Sequence, residues 1–179
     1  MPNQRSVLRE GTIAGLLGAA TVAVWFLIFD ALRGKPFLTP TLLGAAVFYG
    51  VKDPTGLDPA LGPILGYTIV HGLAFIAFGV VAAAFIAVSE REPALFIAVI
   101  ILFACFETFF LGVLGAVGAS MIGALVWWSI LIGNMLAAIA MLWYFFVGNL
   151  LAAGAMLAYF FQRHRTLARR LSEAWAEDT

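Results

Sequence analysis

The sequence predicts an all-α integral membrane protein with four transmembrane helices, a short interfacial helix after the first span and an amphipathic C-terminal helix. Hydrophobic residues make up 63% of the 179-residue chain and charged residues only 11%, against about 45–50% and about 25% in soluble domains. Between Pro93 and Gln162 the one formal charge is Glu107, and this stretch is several times longer than the roughly 20 apolar residues that span a bilayer. The chain length suits one helical bundle formed by residues 1–179 rather than two domains.

The first predicted span covers about residues 11–29. Its apolar stretch is longer than the roughly 7–15 residues of a signal-peptide core, and no small-residue cleavage site follows before Asp30, so we expect the span to be retained. The polar, proline-rich sequence that follows contains Thr39 and Pro40, which suit an N-cap and a first helical position. A short helix is therefore predicted from Pro40 to about Tyr49, and its few polar side chains favour the membrane interface.

The second and third predicted spans cover about residues 63–88 and 93–117. The polar residues from Ser89 to Glu92 form a short connection between them, and Pro93 suits the first turn of the next helix. An acidic residue beside that turn also favours the positive end of the helix dipole. The two spans should therefore form a close antiparallel hairpin.

The apolar stretch from Ala119 to Phe161 is longer than one perpendicular span and shorter than two comfortable ones. We predict one long tilted helix over about residues 131–161. An interfacial or re-entrant piece around Trp127 and Trp128 is expected to precede it.

Four spans place both termini on the same side, and the positive-inside rule makes that side the cytoplasm of a multi-pass inner-membrane protein. A five-span alternative, which turns near Gly133 and Asn134, fits the charges equally well but leaves a segment after Gly118 too short to cross. Residues 162–179 then form a cytoplasmic tail. Its arginines either anchor the last span or let an amphipathic helix contact a partner or anionic lipid; they are Arg163, Arg165, Arg169 and Arg170.

Four polar residues inside the predicted spans indicate a site. Counting 1.5 Å per residue from the span ends puts His71 and Glu107 in the outer half of a roughly 30 Å core, where the two side chains can pair. Asn149 can reach the same level, and Asn134 completes this intramembrane polar set. Alternatively, Glu107 is protonated or bonded to a nearby hydroxyl or carbonyl, and His71 only satisfies a neighbour.

Small residues recur at helical spacing in several predicted spans. Glycines let helices approach closely in lipid, where no hydrophobic force pulls them together. We expect these positions to pack the internal bundle and to offer surfaces for other subunits or for self-association. The predicted packing glycines are Gly11, Gly15, Gly62, Gly66, Gly112, Gly115 and Gly118.

The sequence also excludes several chemistries. No lysine lies in a predicted span, so a retinal Schiff base is impossible in this chain, and His71 alone cannot ligate a haem from both sides. No Ser-His-Asp set, HExxH motif or phosphate-binding glycine loop is found. Zero net charge with two lysines leaves no basic surface for nucleic acid. We predict no catalytic site, no metal site and no nucleic-acid partner, and the sequence identifies no cofactor.

A resemblance to uncharacterised bacterial inner-membrane proteins rests on the pattern Arg9-Glu10-Gly11-Thr12-Ile13-Ala14-Gly15-Leu16, followed by Trp25-Phe26. This resemblance covers one helix and implies no function.

Three functional hypotheses follow from these observations. The leading one is a non-enzymatic accessory or assembly subunit of a larger membrane complex, for example an electron-transfer complex, with contacts to lipid or a cofactor. The alternative is a small homo-oligomeric channel or carrier in which Glu107 and His71 line a proton or cation path. A third is partial haem or pigment binding through His71.

Overall fold

The computed structural model describes residues 4–53, 55–89, 97, 100–102, 104–105, 108, 112 and 127–177. This part of the chain is all-helical and contains no strand, which confirms the predicted all-α class. Most of the third predicted span, including Glu107, lies outside the described residues. The chain divides into two compact units, Met1–Leu142 and Trp143–Thr179. The helices with described bounds are α1 (Gln4–Leu32), α2 (Leu38–Tyr49), α3 (Leu61–Ser89) and α4 (Trp127–Glu177).

Three described segments are long and apolar enough to cross a membrane: Ser6–Leu32, Leu61–Val88 and Trp128–Gly148. Their outward side chains are apolar, since Leu16, Leu65 and Ile139 are 51%, 59% and 58% exposed. Soluble monomers rarely expose contiguous apolar surface on this scale. The fold is therefore that of a membrane protein. The first two predicted spans are present as apolar helices, and the last candidate span, Trp128–Gly148, begins and ends earlier than the predicted 131–161.

A seam of glycines holds α1 and α3 together in antiparallel orientation. A methyl group on Gly11 would lie 2.7 Å from the backbone nitrogen of Val80, and one on Gly79 would lie 2.7 Å from the backbone nitrogen of Gly15. Both distances are shorter than ordinary van der Waals contact, so a hydrogen atom in place of Cβ lets the two backbones touch. Close backbone approach of this kind is a main source of helix association in lipid.

The short helix α2 packs on the first part of α3. Gly44 marks this contact, because a methyl group there would lie 2.6 Å from the carbonyl carbon of Pro63. Beyond the helix, Thr55 donates hydrogen bonds to Asp53 from its hydroxyl and from its backbone N–H. These bonds hold the pKa of the exposed Asp53 carboxyl below its usual range.

The start of α2 differs from the sequence prediction. The helix begins at Leu38 rather than Pro40, and Phe37 rather than Thr39 is its N-cap residue. Phe37 has a left-handed backbone conformation with φ 65° and makes no side-chain cap hydrogen bond. Thr39 therefore lies inside the first turn. Its backbone nitrogen and its hydroxyl donate hydrogen bonds to Asp30 of α1.

The helix α4 is continuous from Trp127 to Glu177. Gly133 and Asn134 lie inside it, so the chain does not turn there as the five-span alternative requires. Trp127 and Trp128 belong to its first turn and form no separate interfacial piece. The residues before Trp127, where the rest of the predicted interfacial or re-entrant piece would lie, are outside the described residues, so that piece stays a prediction.

The first part of α4 packs against α1 in antiparallel orientation. Trp25 Nε1 donates a hydrogen bond of 2.8 Å to the carbonyl oxygen of Ser129. A methyl group on Gly133 would lie 2.8 Å from Trp25 Cδ1, and one on Gly18 would lie 2.8 Å from Met141 Sδ. Both α3 and this part of α4 thus run opposite to α1.

The unit Trp143–Thr179 contains the remainder of α4. Its described apolar side chains are largely exposed, with Leu151, Met156 and Phe161 at 69%, 76% and 63%. The chain is helical where the C-terminal helix was predicted, as a continuation of α4 to Glu177.

Candidate functional site

A cavity of about 220 Å³ lies where the last turns of α1 meet the beginnings of α2 and α3. Most of its lining is apolar and includes Phe26, Leu27 and Ile64. An apolar cavity edged by a few polar groups is the usual form of a small-molecule site. The polar lining residues are Asp30, Thr39, Tyr67, Thr68 and His71.

A second cavity of about 160 Å³ adjoins the first and shares Tyr67 and His71 with it. Leu43 of α2 and Asn134 of α4 also line it, so all four described helices contribute. The structure thereby places His71 and Asn134, two members of the predicted polar set, at one cavity.

His71 is held by α1 through a bond to the backbone. Its Nε2 atom lies 3.3 Å from the carbonyl oxygen of Ala19. Because a carbonyl oxygen only accepts hydrogen bonds, the proton must be on Nε2, and Nδ1 is then the acceptor of the neutral ring. The ring is stacked on Tyr67, with centroids 5.5 Å apart, and tilted against Phe75 at 4.7 Å. These contacts fix the ring at the wall between the two cavities.

Tyr67 carries the unused hydrogen-bond donor of this site. Within the described part of the chain, no hydrogen bond of its hydroxyl is found, whereas the Thr68 hydroxyl donates to the carbonyl oxygen of Ile64 at 2.7 Å. Tyrosine hydroxyls in apolar surroundings usually find a partner, because leaving one unpaired costs about 1–3 kcal/mol. The cavity therefore offers a donor at Tyr67 and an acceptor at His71.

Asp30 performs a structural task at the edge of the first cavity. The backbone nitrogen and the hydroxyl of Thr39 donate to its two carboxyl oxygens, at 2.7 and 2.8 Å. Asp30 is 1% exposed, and a buried carboxyl group needs such partners. It supplies the cap that Phe37 does not supply, at the helix end whose dipole favours an acidic group. This contact explains why Thr39 lies inside α2 rather than before it.

Several predicted site residues cannot be placed beside the cavities. Glu107, Gly115 and Gly118 lie outside the described residues, and Asn149 lies on α4 with a side chain that the structure does not describe. The predicted cluster of Glu107, His71 and Asn149 therefore stays a prediction.

The other predicted glycines differ in their surroundings. A methyl group on Gly66 would lie 2.8 Å from the Phe48 ring, and one on Gly62 would lie 3.2 Å from the Tyr49 hydroxyl. Both positions thus face α2. At Gly112 no atom lies within 4 Å of the Cβ position, so this glycine makes no close helix contact in the described structure.

Sequence reasoning missed Asp30, Thr39 and Tyr67 as site residues. A signal for Tyr67 was present, since Tyr67, His71 and Phe75 follow one another at one-turn spacing and share a helix face. No comparable sequence pattern links Asp30 to Thr39. Their proximity depends on the fold of the connecting loop.

The polar groups at the two cavities suit the binding of a small ligand. Within the described ranges no three His, Cys, Asp or Glu side chains are grouped to hold a metal ion. The donor at Tyr67 and the acceptor at His71 can instead orient a neutral ligand in an apolar cavity.

Comparisons with protein-family models, with curated proteins and with solved structures give no match for this chain. The class is therefore defined by fold and site alone: a helical membrane protein with two adjoining, mostly apolar cavities. Its function has to be argued from these features.

Proposed function

We propose that this chain is a non-enzymatic accessory subunit of a larger complex in the bacterial inner membrane, with contacts to lipid or a cofactor. The observation that carries the proposal is the apolar length of α4. From Trp127 to Phe161 the helix contains no charged residue, and at 1.5 Å per residue it extends about 52 Å. This length exceeds what a bilayer covers.

The apolar length of α4 that lies beyond the hydrocarbon core can be estimated from the geometry of transmembrane helices. A helix tilted by about 40°, the upper end of the usual range, crosses a core of about 30 Å in roughly 26 residues. About nine apolar residues of α4 then extend beyond the hydrocarbon core. Apolar surface outside lipid is expected to be covered by protein, which favours a partner subunit.

The course of the described helices supports four spans. α3 ends beside the N-terminal part of α1, since Gly11 meets Val80, while α4 begins beside the C-terminal part of α1, since Trp25 bonds to Ser129. The chain must return from one end of α1 to the other between them. Both termini then lie on one side, which the positive-inside rule makes the cytoplasm.

Fusion of alkaline phosphatase tests this topology. The enzyme folds only outside the cytoplasm, so a fusion after Asp53 should be active and one after Glu177 inactive. The reverse pattern, or activity at both sites, would overturn the proposed orientation.

Site-specific photo-crosslinking in the native membrane tests the subunit proposal. A crosslinker at Met156 or Phe160, which are 76% and 56% exposed, should capture a second kind of polypeptide. The same crosslinker at Leu16, an exposed residue near the middle of α1, should capture mainly lipid and serves as the matched control. Capture of lipid alone at all three positions would contradict the proposal, as would a native mass equal to the monomer.

A homo-oligomeric channel or carrier is the second candidate. Its favouring observation is that two ionisable residues, Asp30 and His71, line one cavity. Against it, the α1–α3 seam beyond His71 is closed by the glycine contacts at Gly15 and Gly79, so no path runs between these two helices. Proton flux that is lost in Glu107→Gln, together with a homo-oligomeric native mass, would favour the channel. Unchanged assembly with other subunits in that variant would favour the accessory role.

A further inference from the structure

We propose that the paired cavities bind the ring of a membrane-soluble quinol, with Tyr67 and His71 as its two hydrogen-bonding partners. The inference rests on the cofactor contact proposed above and gives that contact a place and a ligand class.

The size of the cavities fits one substituted six-membered ring. An apolar protein cavity of about 150 Å³ holds benzene, and the first cavity measures about 220 Å³ with a further 160 Å³ adjoining it. Phe26 lines both cavities, and the rings of Tyr67 and His71 form their common wall. Aromatic side chains pack favourably against a flat ring.

The polar groups decide between a quinol and a plain hydrocarbon. A hydrocarbon ring or acyl chain would leave the Tyr67 hydroxyl without a partner in the mostly apolar cavity, which is unfavourable. A ring oxygen of a quinol accepts from that hydroxyl. The ligand's own hydroxyl then donates to His71 Nδ1, which is the acceptor because Nε2 is engaged with Ala19.

The Tyr67 donor and the His71 acceptor together predict a preference between the two redox forms of the ligand. A quinone has only acceptor oxygens, so it can bond to Tyr67 but cannot donate to His71. Loss of one hydrogen bond corresponds to about a fivefold to tenfold loss of affinity. The site should therefore bind the quinol more tightly than the quinone.

The cavity also has a route for a lipid tail. Val24 and Leu27 line the first cavity, and both are exposed on the outer surface of α1, at 55% and 41%. A ring in the cavity can thus carry an alkyl or isoprenoid tail that passes between these side chains into the lipid.

Calorimetric titration of the full chain in lipid nanodiscs tests the proposal, with empty nanodiscs as the correction for partitioning. The probes are a benzoquinol with a decyl tail, the corresponding quinone and decylbenzene. Saturable binding in the order quinol, quinone, decylbenzene is expected. Equal affinities, or uptake that does not saturate, would overturn the proposal.

Single substitutions separate the two hydrogen bonds. Tyr67→Phe should weaken quinol and quinone to a similar extent, by about fivefold to tenfold. His71→Phe keeps a ring for stacking but should abolish the preference for quinol. Thr12→Val is the matched control, because Thr12 lines neither cavity and its hydroxyl already donates to the carbonyl oxygen of Leu8, so the affinities should stay unchanged. A quinol preference that survives in His71→Phe would refute the assigned acceptor.

The quinol proposal and the subunit proposal are tested by different measurements, so each can fail separately. Binding is measured on the isolated chain, whereas subunit membership is measured by crosslinking in the native membrane. A chain that crosslinks to partners but binds no quinol would refute the ligand alone.

Discussion

The glycine seam between α1 and α3 permits a quantitative test at Gly79. In Gly79→Ala the new methyl group would lie 2.7 Å from the backbone nitrogen of Gly15 and 2.9 Å from its Cα, where ordinary contact begins at 3.4 Å. It would also approach the carbonyl oxygen of Gly11. All of these atoms belong to backbone, so no side chain can move aside, and the two helices must separate.

The expected loss in free energy of unfolding follows from the separation of α1 and α3. A gap of about 0.5–1 Å loses roughly a quarter to a half of the dispersion energy of each contact, and overpacking of a tight interface typically costs about 1–3 kcal/mol. Alanine regains up to about 1 kcal/mol because it is the better helix former. The net loss in free energy of unfolding should be about 1–2 kcal/mol, which lowers the melting temperature by roughly 2–8 °C.

Gly72→Ala is the matched control on the same helix. No atom lies within 4 Å of the Cβ position at Gly72, so this variant gains helix propensity without a clash. Thermal unfolding of both variants in the same detergent, followed by intrinsic fluorescence, measures the difference. Equal melting temperatures for Gly79→Ala and Gly72→Ala would refute the close packing of α1 against α3.

Three further substitutions test the contacts around the site. Asp30→Ala removes both hydrogen bonds to Thr39 and should destabilise the start of α2 by about 1–2 kcal/mol, seen as faster hydrogen exchange of the α2 amides. Phe37→Gly should raise the melting temperature, because a left-handed conformation costs a non-glycine residue about 1–2 kcal/mol. Trp25→Phe loses the bond to Ser129 and should lower stability by about 1 kcal/mol in thermal unfolding.

Each of these tests has a control elsewhere in the chain. Asp53→Ala changes an acidic residue in an exposed loop and should leave the hydrogen exchange of the α2 amides unchanged. Trp143→Phe alters a tryptophan that is 66% exposed and should leave stability nearly unchanged. Leu32→Gly is the control for Phe37→Gly, because Leu32 ends α1 without a positive φ, so no gain is expected there. If a control changes as much as its paired variant, the assigned contact is not the cause.

The spans and the site differ in how far sequence could predict them. α1 and α3 were predicted because about 20 consecutive apolar residues define a span whatever surrounds them. The start of α2 was misplaced because Thr39 and Pro40 form a normal local capping pattern, while the actual cap is Asp30, nine residues earlier. Local patterns predict elements well and fail where a distant side chain replaces a local one.

The candidate site shows the same division. The sequence indicates His71 as a histidine in an apolar span and Asn134 as a polar residue in another. The sequence did not indicate that they share a cavity with Tyr67, since this depends on the rotation of α3 against α1 and α4. That rotation is set by glycine contacts such as Gly15 with Gly79.

By itself, the sequence determined that this is a helical membrane protein and where its first two spans lie. It also indicated which polar side chains are unfavourable inside an apolar span. These properties are local, because hydropathy and helix length are summed along the chain. Only the tertiary structure decided that Asp30 caps α2, that α4 runs unbroken through Gly133 and that Tyr67 faces a cavity. These features depend on which helix faces meet, and packing between distant segments fixes them.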